Sequence, residues 1–266
     1  MVSAKLIEQA GFEAVYLSGY GHAASHLGLP DAGLITFTEM LERLRHLVRC
    51  VGIPVLADGD TGFGGVINLR RTVLDYESAG AQAIQIEDQE IPKKCGHTTG
   101  KRLVSATAMA KKIEAARAAR RSDEFLIIAR TDAISVAGLD EAIRRGHLYQ
   151  SAGADIIFVE SPTTVDEIQR IAGSFEKPLM LNQIENGKTP LLPVKQLEKL
   201  GYKIVAYALT ALMASVKAMQ QTLATLRREG SAQSYLHDIA TFEELNLLLG
   251  FPEVHAWERR FQWEDS

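Results

Sequence analysis

Cysteine is scarce in this sequence, since Cys50 and Cys95 are the only two among 266 residues. Two cysteines are too few for the disulfide framework of a small secreted domain. The opening stretch MVSAKLIEQAGF has neither the basic nor the apolar region of a secretion signal. We therefore expect a protein of the reducing cytoplasm.

Long apolar runs and a strong excess of one charge are missing as well. No apolar run approaches the roughly 20 residues that a membrane-spanning helix needs. The net charge of −4 provides no general attraction to nucleic acid or to an anionic membrane. We expect no nucleic-acid partner and no membrane association.

The chain also lacks a long linker rich in proline, glycine and serine. Hydrophobic residues make up 46% of it and charged residues 23%, which is ordinary for a globular protein. A chain of this length can bury a sizeable core. We therefore predict a single domain over residues 1–266.

What the sequence does contain is a repeated pattern of a helical tail, a glycine and a short apolar run. The pattern recurs in EQAGFEAVYLSG, ESAGAQAIQIED, QSAGADIIFVES and EKLGYKIVAYAL. The glycine suits the position after a helix, where a positive φ is usual. The apolar run is typical of a strand buried on both faces. With three further apolar runs, the pattern predicts seven strands, at about 13–18, 54–58, 83–87, 125–130, 156–160, 178–183 and 204–208.

Alternating strands and helices predict a parallel sheet. At this length a (β/α)8 barrel is the first architecture to expect, and an open doubly wound sheet is the alternative. Seven strands are one short of a full barrel. Residues 209–266 have a mostly helical pattern, which predicts a C-terminal helical extension.

Acidic side chains collect at the predicted strand ends, where α/β proteins place their chemistry. Asp58 and Asp60 alternate on one extended segment, so both can face the same side. Carboxylates around one point repel each other unless a cation lies between them, and oxygen ligands suit Mg2+. The alternative is that these aspartates cap loops and helix starts.

A basic side chain ends another predicted strand. Arg130 follows the apolar run FLIIA, where a charge is costly unless it is paired. Its guanidinium group suits a substrate carboxylate. The alternative is an internal pair with Asp132, Glu87 or Glu160.

The segment PKKCGHTTGKR, residues 92–102, follows an acidic strand end. Cys95 and His97 have no second cysteine–histidine pair nearby, which argues against zinc. The lysines and the histidine beside Cys95 are expected to lower the pKa of its thiol toward neutrality. The glycines would let the segment close over a barrel mouth as a lid. The alternative is a surface loop with an incidental cysteine.

Four motifs follow one another in an order that is typical of one family: LADGDTGFGG, IEDQEIPKKCGH, IIARTDA and FVESP. On these motifs the sequence resembles the isocitrate lyase / phosphoenolpyruvate mutase superfamily over about residues 3–225. KKCGH after EDQ resembles the lyase branch, with its methylisocitrate and 2,3-dimethylmalate lyases, and also carboxyvinyl-carboxyphosphonate phosphorylmutase. The resemblance implies a (β/α)8 barrel, Mg2+ or Mn2+, and a 2-oxo- or 2-hydroxy-carboxylate substrate.

The resemblance also implies roles for residues around the metal. Asp58 would ligate Mg2+, and Asp60 and Glu87 would hold its water shell, with Asp31 nearby. The carboxylate of the oxo-acid product would be bound by Ser18, Gly19 and Tyr20.

Other residues would perform the chemistry and bind the rest of the substrate. Tyr16 would help to deprotonate the substrate hydroxyl, and Cys95 would protonate the enolate-like leaving fragment. The lid around Cys95 would be completed by Gly96, which would also contact substrate, and by His97, with Lys93 and Lys94 beside them. Lys93 and His97 would take part in catalysis together with Tyr16 and Cys95. The substrate would be bound by Arg130, Glu160, Asn182 and Glu185.

The chain departs from the family pattern in three places. Methylisocitrate lyases carry an arginine in the segment matching YALTALMAS, where this chain has Met213, so a tricarboxylate substrate is less favoured. Gln183 and Asn186 lie in a region that varies with substrate. The family's first strand precedes SAKLIEQAG and has no residues here. We expect that either the chain is truncated or another segment closes the barrel.

Together these features predict a Mg2+-dependent carbon–carbon lyase for a small 2-hydroxy dicarboxylate, with an alkylmalate favoured over methylisocitrate. The alternatives within the family are carboxyvinyl-carboxyphosphonate phosphorylmutase and an oxaloacetate decarboxylase or hydrolase. A non-catalytic relative is the alternative from another class, because a barrel without its first strand would be open. Family members are usually homotetramers that exchange a C-terminal helix, so the resemblance also implies a homotetramer.

Overall fold

A sheet of seven parallel strands forms the centre of the molecule, of which the computed structural model describes residues 1–261. The strands lie side by side in chain order, and each pairs in parallel with the next. The seven predicted strands are confirmed. They are β1 (Val15–Leu17), β2 (Val55–Asp58), β3 (Ala83–Glu87), β4 (Leu126–Thr131), β5 (Ile156–Val159), β6 (Leu179–Asn182) and β7 (Tyr202–Ala206).

Helices connect the strands. The helices are α1 (Val2–Gln9), α2 (Gly19–His22), α3 (Phe37–Cys50), α4 (Val66–Ser78), α5 (Ala106–Ala119), α6 (Ile134–Ala137), α7 (Leu139–Ser151), α8 (Val165–Ala172), α9 (Val194–Leu200), α10 (Thr210–Glu229), α11 (Phe242–Leu249) and α12 (Phe251–Arg260). A π-helical turn at Ala23–Leu27 and a 3-10 helix at Gln233–Asp238 complete the set for the described residues.

The strand order confirms a TIM-type barrel that is nearly closed. A doubly wound sheet would reverse its strand order at a switch point, whereas this sheet never does. Strands β1 and β7 are its two edges, and within residues 1–261 no hydrogen-bonded pairing joins them. The eighth strand position of a full barrel is therefore left unfilled by the part of the chain described.

The glycines of the repeated pattern lie where the sequence predicts a turn out of a helix. Gly11, Gly80, Gly153 and Gly201 all have positive φ, between 82° and 104°. An L side chain is strained in that conformation, so glycine is the residue that lets each helix end and the next strand begin at once.

Two apolar layers pack on opposite faces of the sheet. The larger layer lies between the sheet and the helices and includes Leu44, Tyr76, Ile84 and Ile127. The smaller layer fills the barrel interior, with Leu56, Ala83, Ile128, Ile156, Phe158, Met180 and Ala206 at its centre. Side chains alternate along a strand, so the residue two places after an interior residue also points inward. This periodicity directs the polar residues at the strand ends into the barrel mouth.

The C-terminal helices have few buried residues. Phe242 is 81% exposed and Trp257 is 64% exposed, and no residue of α10, α11 or α12 is fully buried. The helical pattern predicted for residues 209–266 corresponds to these helices as far as Phe261, and its last five residues lie outside the described part. Among the helices of residues 1–261, none combines the length and the apolar character needed to cross a membrane.

Candidate active site

A cleft opens at the carboxyl ends of the strands and brings together many of the predicted residues, although Gly19, Asp60, Glu87, Lys93 and Glu185 are not part of its lining. It holds about 430 Å3 of space between its atoms, part of which is open to solvent. The cleft is lined by Tyr16, Ser18, Tyr20, Asp31, Asp58, Cys95, Gly96, His97, Arg130, Phe158, Glu160, Met180, Asn182, Ile184, Ala206, Ala208 and Leu209.

Asp58 is held at the end of β2 by three hydrogen bonds. Its Oδ2 accepts from the backbone N–H of Gly19 (3.2 Å), and its Oδ1 accepts from the backbone N–H of Asp60 (3.0 Å) and from Gln85 Nε2 (3.2 Å). A Cβ at Gly19 would lie only 2.9 Å from Asp58 Oδ2, so a side chain there would displace the carboxylate. The close packing of the SGYG turn after β1 against the Asp58 carboxylate therefore requires a glycine at position 19.

A lysine of the lid lies between two of the predicted metal-site carboxylates. Lys93 Nζ is 2.6 Å from Asp31 Oδ1 and 2.7 Å from Asp60 Oδ1, and all three side chains are buried. Burial opposes the charge on Lys93, but the surrounding carboxylates, Asp60 first among them, outweigh it and hold the pKa of Lys93 well above its usual value. Burial also raises the pKa of Asp60 to about 6, with Lys93 acting against it.

Glu87 contributes a deeply buried carboxyl group at the end of β3. Burial holds its pKa well above the usual range, and Arg130 acts in the opposite direction. Its Oε1 atom has no hydrogen-bond partner among the described residues. An unpartnered buried carboxylate oxygen is costly, so this position is suited to a ligand or a water bound to one.

The donors fit a hard cation with a partial water shell. Asp58, Asp60 and Glu87 offer oxygen atoms only, which Mg2+ prefers. Within residues 1–261, no three carboxylate, histidine or cysteine side chains converge as a ready-made set of metal ligands. Mg2+ commonly takes one or two carboxylates and keeps several waters. Of these three residues, Asp58 alone borders the cleft, so its carboxylate is the one open to an ion bound there.

Arg130 borders the cleft. It is also paired with Asp132, Glu87 and Glu160, as the alternative of an internal ion pair predicted. Its Nε and Nη2 donate to the two oxygens of Asp132 at 2.9 Å and 3.0 Å. Its Nε is also 3.5 Å from Glu87 Oε2, and its Nη1 is 3.7 Å from Glu160 Oε2. Burial favours the neutral form of Asp132, but Arg130 and Lys101 outweigh it and lower the pKa of Asp132 to about 2. The guanidinium of Arg130 is therefore already held in place by Asp132, Glu87 and Glu160 before a substrate carboxylate binds to it.

His97 lies on the lid between Glu160 and the loop after β6. Its Nε2 is 3.0 Å from Glu160 Oε1, and its Nδ1 accepts from the backbone N–H of Lys188 at 3.0 Å. Burial works against the charge on Glu160, but Arg130 and His97 hold the pKa of Glu160 below its usual value. The Nε2 of His97 therefore lies beside a carboxylate, while the hydrogen bond to Nδ1 ties the ring to the loop after β6.

The surroundings of Cys95 overturn one expectation. Burial raises the pKa of the Cys95 thiol above its ordinary value. The lysines that were expected to lower it point elsewhere, since Lys93 binds the carboxylates and Lys94 Nζ donates to the carbonyl of Gly100 (3.2 Å). Cys95 is therefore a thiol at neutral pH. A thiol carries the proton that a general acid must deliver, so the predicted role of Cys95 remains chemically sound without the predicted lowering of its pKa.

Tyr16 is surrounded in a way that favours a neutral phenol. Its hydroxyl donates to Gln85 Oε1 at 2.7 Å. Burial, with Asp58 as the next contribution, holds the pKa of Tyr16 well above its usual value. The resemblance implies that Tyr16 helps to remove a proton, whereas these contacts suit a group that donates a hydrogen bond.

The remaining predicted residues divide between the cleft and its surroundings. Ser18, Tyr20 and Asn182 line the cleft, and Asn182 Oδ1 has no partner within the described residues. Glu185 does not line it, because its carboxylate accepts from Thr210 Oγ1 at 2.6 Å. Met213, which was expected to mark substrate choice, is also absent from the lining. Leu209, one turn earlier, takes that place.

Three polar residues matter here that sequence reasoning did not single out: Gln85, Asp88 and Lys101. Gln85 is two places before Glu87 on the inner face of β3, so the strand period could have indicated it. Asp88 points the other way and accepts from Thr131 Oγ1 and Tyr149 OH, both at 2.7 Å. No local signal marked Lys101, because its carboxylate partner, Asp132, is distant in sequence.

Comparison with known proteins places the chain in a family. The family model described as phosphoenolpyruvate phosphomutase matches residues 1–227. The chain is 45% identical to a 2,3-dimethylmalate lyase of Eubacterium barkeri over 260 residues, covering 98% of this chain and 90% of that protein. It is 46% identical to a 2-methylisocitrate lyase of Aeropyrum pernix over 257 residues, covering 97% of this chain and 82% of that protein.

A solved structure agrees with the sequence relatives. The structure of phosphonopyruvate hydrolase in complex with oxalate and Mg++ superimposes with a TM-score of 0.88 and 34% identity, covering 98% of this chain and 91% of that one. The barrel, the cleft at its carboxyl end and the sequence relatives lead to one conclusion. The chain belongs to the phosphoenolpyruvate mutase/isocitrate lyase superfamily of enzymes.

Proposed function

We propose that this protein is a magnesium-dependent carbon–carbon lyase that cleaves a small 2-hydroxy dicarboxylate. The observation that carries the proposal is one cleft with four parts: oxygen donors around Asp58, a guanidinium at Arg130, a protonated thiol at Cys95 and an apolar wall. The sequence relatives named as lyases support it. An alkylmalate such as 2,3-dimethylmalate is the substrate we favour.

The polar parts of the cleft suit the steps of a retro-aldol-like cleavage. The substrate hydroxyl gives up its proton to one of the carboxylates beside Asp58, which are those of Asp60 and Glu87. The electron pair of the O–H bond then forms the new carbonyl as the C2–C3 bond breaks. The C2–C3 electron pair moves onto the leaving carboxylate fragment as an enolate. The Cys95 thiol delivers a proton to that carbon, which is general acid catalysis.

Magnesium would supply a positive charge that lowers the pKa of the substrate hydroxyl and steadies the developing oxo acid. Asp58 would hold the ion, and Asp60 and Glu87 would bind its waters. The phosphonopyruvate hydrolase of the same family, whose structure contains oxalate and Mg++, supports this assignment. Mn2+ has similar ligand preferences and would be expected to substitute.

The apolar wall favours an alkyl substituent over a third carboxylate. Phe158, Met180, Ile184, Ala206 and Leu209 form this side of the cleft. A carboxylate placed against these side chains would lose its hydration without gaining a partner. A methyl or ethyl group would instead gain about 0.8 kcal/mol for each buried methylene. This wall supports an alkylmalate over methylisocitrate.

Cleavage of a panel of malates tests the proposal. We expect 2,3-dimethylmalate to give pyruvate and propionate only when Mg2+ is present, and methylisocitrate to be cleaved more slowly. The Cys50→Ser variant is the matched control for Cys95→Ser, since Cys50 lies on α3 beside Met1 and far from the cleft lining. Absence of any malate cleavage with Mg2+ would contradict the proposal.

Cleavage of a phosphorus–carbon bond is the second candidate. One structural relative is a phosphonopyruvate hydrolase, and the cleft of this chain could bind a phosphonate through the metal. The apolar wall and the thiol on the lid favour carbon–carbon cleavage. Turnover of phosphonopyruvate or carboxyvinyl-carboxyphosphonate without malate cleavage would establish the second candidate instead, and an oxaloacetate control would detect decarboxylase or hydrolase activity.

A non-catalytic relative is the alternative from another class, and ligand binding distinguishes it from an enzyme. Oxalate mimics the enolate of an oxo acid. We expect calorimetry to show oxalate binding that requires Mg2+. A cleft that binds neither Mg2+ nor oxalate would favour a scaffold without activity.

We also propose that the protein is a cytoplasmic homotetramer in which the C-terminal helices α10, α11 and α12 dock on a neighbouring subunit. The exposed apolar side chains of Phe242, Leu247 and Trp257 support this, because a lone chain would leave them in water. Light scattering should give four times the mass of the chain. A monodisperse monomer would exclude the tetramer while leaving the proposed activity open.

A further inference from the structure

Lys101 is a buried lysine at the far end of the lid segment, and the steps proposed above give it no task. Its side chain is only 1% exposed. Its Nζ lies 3.0 Å from Asp132 Oδ1 and also donates to the backbone carbonyl of Gly96. A buried ammonium group needs such partners to offset its lost hydration. Lys101 thus has one partner at the end of β4 and one on the lid itself.

The lid peptide that Lys101 binds is tightly confined. A Cβ at Gly96 would lie 2.5 Å from Arg130 Nη2 and 2.7 Å from Glu160 Cδ. Ser161 Oγ lies 3.1 Å from the same Gly96 carbonyl and 2.9 Å from Glu160 Oε1, so these two acceptors share its one proton. The Gly96 carbonyl therefore has a second donor within reach besides Lys101, while its Cα has no free space beside it. Because Gly96 follows Cys95 directly, the position of this peptide determines where the thiol lies.

The other partner of Lys101 links the lid to the substrate arginine. Asp132 accepts from Arg130 through both of its oxygens, and its backbone N–H donates to Asp88 Oδ1 at 2.9 Å. Asp132 is thus a fixed anion shared by two cations. If a substrate carboxylate binds to Arg130 and weakens its pair with Asp132, Lys101 would still pair with Asp132. It would also keep the Gly96 carbonyl of the lid bound beside Asp132.

We propose that Lys101 is a positioning residue. Its ammonium group bridges Asp132 and the Gly96 carbonyl and so sets the distance between the Cys95 thiol and a substrate held at Arg130. The inference rests on the proposed function, because the chemistry there gives Cys95 its task. A plain structural ion pair would affect stability alone and would leave the surroundings of Cys95 unchanged.

Alkylation of Cys95 tests this role without requiring turnover. In a Cys50→Ser background, Cys95 is the only thiol, and its rate of reaction with iodoacetamide reports how firmly the lid holds it. We expect Lys101→Met to raise that rate about tenfold, which corresponds to the loss of one charge-assisted hydrogen bond. Lys101→Arg, which keeps the charge, should restore much of the protection. The matched control is Arg102→Met, which removes the neighbouring but exposed ion pair with Glu90 and should react like the parent.

Kinetics provide the second measurement. For Lys101→Met we expect kcat to fall roughly 100-fold, the cost of a small misplacement of a reacting group. KM should change little, since Arg130 still binds the substrate. Parent-like alkylation of Lys101→Met would overturn the proposal, and so would a lower melting temperature with unchanged alkylation and kcat. If the parent shows no lyase activity, the proposed function fails, but the alkylation rates still decide the role of Lys101.

Should Lys101→Met fail to fold, Ser161→Ala examines the same anchor. This variant removes the other donor to the Gly96 carbonyl and leaves the Lys101–Asp132 pair in place. We expect a smaller but measurable rise in Cys95 alkylation. Alkylation at the parent rate in a folded Ser161→Ala protein would overturn the idea that anchoring of this carbonyl positions the thiol.

Discussion

The Tyr16 hydroxyl donates a 2.7 Å hydrogen bond to the side-chain oxygen of Gln85. The amide nitrogen of the same Gln85 donates to Asp58. Gln85 thus connects the tyrosine of β1 to the carboxylate proposed to hold Mg2+. This arrangement orients Tyr16 as a donor at the edge of the cleft.

Removal of the Tyr16 hydroxyl should weaken catalysis without abolishing it. We expect Tyr16→Phe to lower kcat by about tenfold to 100-fold, the effect of losing a positioned hydrogen bond rather than an essential base. Steady-state kinetics at several pH values will measure it. Burial and Asp58 raise the pKa of Tyr16, so the tyrosine keeps its proton near neutral pH. We therefore expect no rise of activity with pH near neutrality that would report deprotonation of this phenol. An increase of that kind, absent in Tyr16→Phe, would show that Tyr16 is a base.

Loss of the Asp58 carboxylate should abolish the metal dependence of ligand binding. We expect Asp58→Asn to weaken Mg2+-dependent oxalate binding by more than about 10–100-fold, because a direct ligand matters more than its outer-shell support. Titration calorimetry will show the difference. The control is Asp75→Asn on α4, whose carboxylate lies 3.5 Å from Arg71 and outside the cleft lining. Equal oxalate affinity in the parent and Asp58→Asn would place the ion elsewhere.

A methyl group at Gly96 should force the lid away from the barrel mouth. The added Cβ would lie 2.5 Å from Arg130 Nη2 and 2.7 Å from Glu160 Cδ. Neither side chain can move away freely, because Arg130 is paired with both Asp132 and Glu160. We therefore expect Gly96→Ala to lower kcat roughly 100-fold and to increase the reactivity of Cys95 toward alkylation. Gly65→Ala is the control, since nothing lies within 4 Å of its Cβ position. Parent-like kinetics for Gly96→Ala would mean that the lid does not approach Arg130 during turnover.

The buried His22 should make the free energy of unfolding depend on pH. Burial, assisted by Arg43, lowers the pKa of His22 from 6.5 to about 4, and Arg43 Nε donates to its Nδ1 at 3.3 Å. The unfolded chain binds this proton more readily, so the contribution of His22 to stability is full above pH 6.5 and is lost as the pH falls toward 4. We expect denaturant unfolding of His22→Gln to depend less steeply on pH in that window.

Exposed His46 on α3 provides the control for His22. His46→Gln should leave the slope of stability against pH as in the parent, because its side chain is in solvent. If His22→Gln and the parent lose stability in parallel between pH 6.5 and 4, His22 does not titrate as its surroundings indicate.

Much of the barrel could be predicted because each of its units is specified locally. Gly80 and Gly153 mark the ends of α4 and α7 in the sequence, and both have the positive φ that a helix end requires. The apolar runs that follow them are β3 and β5. The number of strands was also predictable, because each of the seven has its own apolar run.

The sequence predicted the location of several candidate site residues better than their ionisation states, and the roles of these residues stay predictions. Asp58, Arg130 and Cys95 were found from strand ends and motifs, and all three border the cleft. The direction of the Cys95 pKa shift was wrong, because sequence neighbours do not show burial or where a lysine side chain points. Lys101 was missed because its partners, Gly96 and Asp132, converge only in the folded chain.

The central claim is that this cleft breaks a carbon–carbon bond and that Cys95 protonates the leaving fragment. The most direct test is nuclear magnetic resonance of the products of 2,3-dimethylmalate formed in deuterium oxide with Mg2+. We predict pyruvate together with propionate that carries one deuterium at the carbon next to its carboxylate. Cys50→Ser should give the same products at the parent rate, and Cys95→Ser should be slower by about 10²–10⁴-fold. Absence of both products, or equal rates for the two variants, would contradict the claim.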